Sequence, residues 1–212
     1  MLLALPGSGE ELFKSFKSKL RSQIRRPQKE GMKTIIGGLE ILDHFYRVFA
    51  ANMRDLGSPV HSKKLFGQIF QAFGENVKIG VVYCQNGPVA AGLIVCFRDI
   101  VEIPWASSLR GYNRFSPNML LYWSLLEHAS DKDYRRFDFG RSTPGKGAYG
   151  FKKQWGAKPY PLYWYIYGLS RYETLASMNE SMAMSRAVAL WQRLPLFLAN
   201  LIGPRIRASI SL

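Results

Sequence analysis

Two cysteines, three histidines and fifteen acidic residues are all that the 212 residues of this chain contain of each type, and each shortage removes a class of protein. Cys84 and Cys96 are too few for the disulfide framework of a small secreted domain, so a reduced, cytosolic chain is the simplest reading. His44, His61 and His128 share no metal-ligand spacing, and neither a metal site nor a Ser-His-Asp site is expected. Long apolar runs are also missing. The longest uncharged one near the C-terminus, 194–204, is only about half of a membrane span and carries Pro195. Met1 to Leu5 is too short for the apolar core of a signal peptide and lacks a basic start. No internal repeat or low-complexity tract stands out.

The scarcity of acid has the largest consequence. Lys and Arg number 29 against 15 Asp and Glu, a net charge of +14, and such a field attracts phosphate-rich, acidic or anionic-lipid partners. The surplus is clustered at 14–33 and 135–158, and no acid follows Glu180. With 47% hydrophobic residues, the chain can bury one sizeable core with appended elements.

Periodicity then sets out the elements. Ser8 and Glu11 have the spacing of a capping box, and Phe13, Phe16, Leu20 and Ile24 continue as one basic amphipathic helix that Pro27 ends. A short strand at 32–36 precedes a helix written by Leu42, Phe45, Phe49, Met53 and Leu56, and a third helix runs from Ser62 to Gly74. The segments 77–84, 88–97 and 99–106 read as an antiparallel meander whose first turn is Asn86-Gly87. A two-residue hairpin there sets Cys84 opposite Val89 and Cys96 opposite Val77, too far apart to bond. Ser116 and Pro117 start a helix that crosses over to a strand at 134–140, parallel to 99–106. A short helix at 148–156, a last strand at 161–169 and a helical tail from 172 complete the chain. The expected class is α+β, with a mixed, mainly antiparallel sheet flanked by helices. Its parts are a basic helical leading segment, 1–31, a central domain, 32–168, and the tail, 169–212.

The stretch FDFGRSTPGKGAYGFKKQWGA, 137–157, carries the chemistry. Gly140 to Gly147 are one residue short of a phosphate-binding P-loop, because Gly147 stands where a magnesium-binding hydroxyl belongs. The preceding strand is also too charged for the buried strand such a loop follows. What remains is a strand end where Arg141, Ser142, Gly145 and Gly147 meet a helix bearing Phe151, Lys152 and Lys153. This corner either holds an acyl or phosphate group or is a surface loop beside an ordinary basic helix.

The runs SLRGYNRFSPNMLLYWSLLEHA (108–129), RFDFGRS and FKKQWGAKPYPLYW resemble the C-terminal half of the Fem-type peptidyltransferases. The likeness is closer still to the FemAB-related proteins of bacterial exosortase/PEP-CTERM systems, and 19–31, 48–60 and the ending WQRLPLFLANLIGP fit the same pattern. The resemblance implies a GNAT fold, in which strands 99–106 and 134–140 splay to admit an acyl donor and Leu109 to Pro117 takes the place of the donor-binding loop ahead of a helix. It implies a co-substrate, acyl-CoA or aminoacyl-tRNA, in place of a tightly bound cofactor. The glycine-rich R/Q-x-x-G-x-G/A pattern of acetyl-CoA users is missing, and in Fem-type enzymes the Phe-Lys pair matching Phe151 and Lys152 lies near the reacting carbonyl. Fem-type proteins have two GNAT-like halves, of which this chain matches one. The implied acceptor is an amino-sugar or peptide amine on a cell-envelope precursor, of peptidoglycan or exopolysaccharide. The implied location is the cytoplasm, at the inner face of the membrane if the tail at 191–206 touches it.

Within that frame Lys152 is expected to supply charge to an oxyanion, and Glu102, the lone acid of IVEIPWA, to act as base through water, unless it merely faces solvent. Arg141 is placed to clamp a phosphate or carboxylate, with Ser142 and Phe151 beside it. Tyr112, Arg114 and Tyr149 are weaker cleft-lining candidates. Asp138 is a further substrate-binding candidate, although it shares a face with Arg136, where a structural ion pair is the commoner outcome. Trp123, Trp155 and Trp164 are expected in the core. Two non-enzymatic readings stay open, a basic RNA-binding module and a peripheral membrane scaffold.

Overall fold

The computed structural model describes residues 1–85, 87–163, 165 and 182–210, the last stretch by backbone alone up to Met184. Its centre is a six-stranded sheet of β1 (Leu2–Ala4), β2 (Lys33–Gly37), β3 (Val77–Cys84), β4 (Gly87–Phe97), β5 (Ile100–Ser108) and β6 (Arg136–Asp138), in the order β1-β6-β5-β4-β3-β2. All neighbours are antiparallel except β5 and β6, which run parallel. The crossover between those two is α5 (Pro117–Asp131), as a parallel connection requires. The mixed α+β architecture expected from the sequence is the one observed.

Helix α5 lies across one face of the sheet, buried through Leu121, Leu125 and Leu126, each no more than 0% exposed. It sits close because Gly80 and Gly92 face each other across β3 and β4. A Cβ on Gly80 would come within 2.9 Å of Leu125. Helices α1 (Gly9–Ser15) and α2 (Ser18–Lys29) pack outside α5, so the leading segment is a layer of the same core, contributing Leu12, Phe16, Leu20 and Ile24. On the other face lie α3 (Leu42–Asp55) and α4 (Lys63–Phe73), where Phe66 meets Phe45 at 5.0 Å and Trp105 of β5 at 5.1 Å between ring centroids.

Contacts divide the chain into two units. The first holds 1–49 and 63–160 and the second 50–62 and 161–212, a partition that cuts across α3. The second unit contains α7 (Met182–Gln192) and α8 (Leu196–Ala208), separated by Pro195, as the interrupted tail predicts; 172–181 lie outside the described residues. Gln192 donates to the Asp55 carbonyl at 3.1 Å and Arg54 to the Leu194 carbonyl at 3.2 Å, tying these helices to the end of α3 within that unit.

Several local expectations are corrected. The single helix to Pro27 is two, because Phe16 leaves the helical conformation (φ −73°, ψ 145°) and drives its ring between Trp123 and Trp155. Helix α2 then passes through Pro27, which forfeits only its own N–H near the helix end, and reaches Lys29. The hairpin closes with Cys84 opposite Gly87, not Val89 as expected, and its register shifts at Val82/Tyr83. Val77 therefore faces Val95; both thiols are free. Strand β1 was not anticipated, since three residues show no periodicity. Of the last strand expected at 161–169, the described residues 161–163 and 165 are irregular, and the rest, with Trp164, lie outside the described residues. Lys158 instead bridges to Leu2.

Candidate active site

The parallel pairing of β5 with β6 lasts for three residue pairs, Ile100 with Arg136, Val101 with Phe137 and Glu102 with Asp138, and then ends. Two features end it. Ile103 and Pro104 together stand where β4 offers Ile94 alone, and this bulge bends β5 as it runs on to Ser108. Pro104 has no N–H for a ladder, which suits a strand edge left unpaired. On the other side β6 stops at Asp138, and Gly140 turns the chain with φ 72°, a conformation that disfavours any residue with a Cβ. The strands thus diverge from Glu102 and Asp138 onward.

Alternation decides what faces the opening. Val101 and Phe137 are fully buried against the α5 side, so their neighbours Glu102 and Asp138 share the opposite face. Glu102 is exposed there, yet loss of water around it, and secondarily the Asp138 carboxylate, raise its pKa above the usual carboxylate value. Asp138 accepts the Gly140 N–H at 2.8 Å and lies 3.4 Å from the Met1 amino nitrogen. The expected pairing of Asp138 with Arg136 is not formed. Arg136 turns instead to Asp99 at 3.1 Å, the acid that ends the β4–β5 turn beside it.

Lys152 comes to the same corner from α6 (Gly147–Gln154). It is only 8% exposed, and its Nζ donates to the carbonyls of Gly140 at 3.2 Å and Arg141 at 2.8 Å. Burial lowers its pKa from the usual lysine value, an effect that Asp138 partly offsets. An ammonium has three donors, so one remains beyond these two bonds. Ser142, next along the strand-end loop, has a buried Oγ without a hydrogen-bond partner. Arg141 and Gly145 are exposed on the same loop, Gly145 with φ 81°.

What holds α6 against the strand end is an aromatic cluster that the sequence did not single out as a unit. Tyr122 of α5 stacks on Phe139 at 5.6 Å and meets the edge of Phe151 at 4.9 Å, while Phe151 contacts Trp155 at 6.2 Å. Burial pushes the Tyr122 hydroxyl pKa up to about 12, so it stays a neutral phenol. Phe151 is therefore part of the support of Lys152, and Tyr149 precedes it, half-buried. Tyr112 and Arg114 stand on a 3-10 turn, Arg110–Phe115, ahead of α5; Tyr112 packs on the core and the Arg114 guanidinium lies 4.5 Å over Phe115. Glu102, Asp138 and Lys152 are thus brought together, with Ser142 beside them, while Tyr112 and Arg114 have their contacts elsewhere. A proline inside a strand pattern was the signal that a bulge would set the opening at this place. Trp123 and Trp155 are buried, at 5% and 1% exposure. Among the described residues there is no group of three or more His, Cys, Asp or Glu that could hold a metal ion.

Comparison with known proteins bears on this arrangement. The acetyltransferase (GNAT) domain family matches residues 14–153, a stretch that includes both diverging strands and Lys152. Among solved structures, FemX is similar with TM-score 0.65 at 14% identity, over 74% of this chain and 57% of its own. The C-terminal domain of a protein assigned as a lysylphosphatidylglycerol synthetase, from Agrobacterium fabrum, is similar with TM-score 0.57 at 13% identity, over 74% and 56%. An aminoglycoside acetyltransferase from an uncultured soil metagenomic sample, in complex with sisomicin, follows with TM-score 0.52 at 13% identity, over 66% and 97%. The chain spans a little over half of the length of the first two. At such identities the likeness establishes the fold. No curated protein sequence matches.

Proposed function

We propose, from the premise that this chain belongs to the acetyltransferase (GNAT) domain family, that it transfers an acyl group to an amine at the mouth of the β5–β6 opening. The observation that carries this reading is the convergence there of two carboxylates in register, Glu102 and Asp138, with the buried ammonium of Lys152. The amine attacks the donor carbonyl, a C–N bond forms, and the bond to the leaving thiol or hydroxyl breaks as that group takes up a proton. Glu102 accepts the proton shed by the amine, through water. Lys152 offsets the charge on the carbonyl oxygen in the transition state, directly or by holding the 140–141 carbonyls in place. Arg141 and Ser142 bind the donor's polar part.

The donor is an acyl thioester such as acyl-CoA or an aminoacyl ester such as aminoacyl-tRNA. The family favours the first, and the resemblance to Fem-type enzymes, with the missing glycine-rich pattern, favours the second. Purified protein offered each donor with amino-sugar and peptide acceptors separates them, and no turnover with any pairing refutes the reading. An acceptor on a peptidoglycan or exopolysaccharide precursor is supported by the Fem-type resemblance, and a link to PEP-CTERM systems by the sequence runs alone.

The pH dependence is a sharper check. Glu102 must be ionised and Lys152 protonated, so kcat/KM should rise with pH through a Glu102 pKa above the ordinary carboxylate value. It should fall again through a Lys152 pKa below the ordinary lysine value. Glu102→Gln should abolish the acidic limb and cost about 10²–10⁴ in rate; an unaltered limb would assign it to another group. Because folding raises the Glu102 pKa, its contribution also makes stability decline as pH climbs from the unfolded value through the folded one.

Work at the inner face of a membrane is part of the proposal. No helix among the described residues is long and apolar enough to cross a bilayer, but Leu190, Phe197 and Leu201 are 67%, 69% and 63% exposed. Arg186 and Arg205 are exposed on the same two helices, and Arg193 in the turn between them. Apolar side chains set among cations suit an anionic lipid surface. Phe197→Ser with Leu201→Ser should weaken sedimentation with phosphatidylglycerol vesicles by about tenfold or more; equal binding would clear these helices of the role.

A further inference from the structure

The break between α1 and α2 has a second outcome besides burying Phe16. It leaves a cavity of ≈ 870 Å³ between these helices, β1 and α6, within the roughly 300–1,000 Å³ typical of small-molecule sites. Its floor is the packed core of Leu12, Phe16, Leu20 and Trp155, and the apolar wall it opens comes from Ala4, which is exposed, and from Leu5 and Pro6, which are half-buried. Its rim carries the exposed ammonium groups of Lys17, Lys19 and Lys153, against the single carboxylate of Glu11. Helix α2 begins at this rim without a side-chain cap, which adds the positive end of a helix dipole to the lysines. None of Glu102, Asp138 and Lys152 lines it. Lys153 opens onto the cavity, whereas Lys152, one residue earlier on α6, is turned to the strand-end carbonyls.

We propose that this cavity is a binding site for an anionic amphiphile, with an apolar chain against Ala4, Leu5 and Pro6 and a phosphate or carboxylate head between Lys17, Lys19 and Lys153. A neutral apolar ligand would leave the clustered ammonium groups without counter-charge, and a free anion would leave the apolar wall in water. Neither uses both halves of the site. The proposal does not depend on acyl transfer, since it concerns binding on the far side of α6.

The test is calorimetric titration of the full chain with dodecyl phosphate below its micellar concentration, beside inorganic phosphate and the neutral-headed dodecyl maltoside. Saturable binding of one dodecyl phosphate is expected, with both controls at least about tenfold weaker because each lacks one half of the complementarity. Lys17→Ala, Lys19→Ala and Lys153→Ala combined should weaken dodecyl phosphate by about tenfold or more. Gly150→Leu fills the cavity from its wall: Gly150 lines it, with nothing within 4 Å of where a Cβ would sit. Leucine also favours a helix over glycine, so this variant should stay folded, as circular dichroism will verify, and lose binding. Equal binding by both variants, a match by dodecyl maltoside or by inorganic phosphate, or no saturable binding at all would each overturn the proposal.

Discussion

Lys152→Ala is expected to lower kcat by about 10²–10³, the usual effect of removing one well-placed donor to a developing oxyanion. The expectation rests on how the side chain is held. Its ammonium is fixed by two carbonyls, at 3.2 and 2.8 Å, and it is drawn out of water deeply enough for its pKa to fall. A charge so confined acts at short range through little solvent. The same two bonds permit another role, since a lysine clamping Gly140 and Arg141 shapes the loop that would receive the donor. The two roles separate in the kinetics. A direct donor loses kcat with little change in KM, whereas a loop clamp raises the KM for the donor. Turnover undiminished in both constants would remove Lys152 from the mechanism.

Trp155→Ala is expected to destabilise the first unit by about 3–5 kcal/mol, the cost of truncating a buried aromatic side chain and leaving a cavity. Trp155 is 1% exposed, and its ring touches Phe16 at 5.6 Å, Phe151 at 6.2 Å and Tyr122 at 6.3 Å. It therefore joins the α1–α2 layer, α5 and α6. Trp155→Phe should cost far less, partly because the indole N–H is buried without an acceptor and its removal forfeits no hydrogen bond. Urea unfolding followed by circular dichroism measures both. A Trp155→Ala variant within about 1 kcal/mol of the parent would mean that α6 is not anchored through this residue.

The sequence was most legible where structure is local. Strand β3 matches the run 77–84 end to end, because a continuous apolar stretch between turn residues can scarcely be anything else. The parallel crossover followed from a helix of 15 residues set between two strands. It was least legible where a distant partner decides. Phe16 breaks a helix that its neighbours would continue, since its ring is worth more between Trp123 and Trp155 than on the helix surface. Strand β1 exists only because β6 offers an edge. At the candidate site, Glu102 is recognisable singly as the lone acid of an apolar strand, and Asp138 as an acid set between two phenylalanines. That they stand side by side follows only from the register of β5 on β6, and the loss of Arg136 to Asp99 from a turn lying 37 positions away.

The bulge at Ile103 and Pro104 has a dynamic corollary. Amides of Val101 and Phe137 lie in a closed ladder beneath α5, while beyond them each strand has lost its neighbour on the inner side. Deuteration should therefore divide β5 past Glu102, slow at the amides that still bond to β4 and rapid at those that point into the opening. The opening would then combine an unyielding base with a compliant lip on β5, so that groups of different girth enter it without moving Glu102 or Asp138.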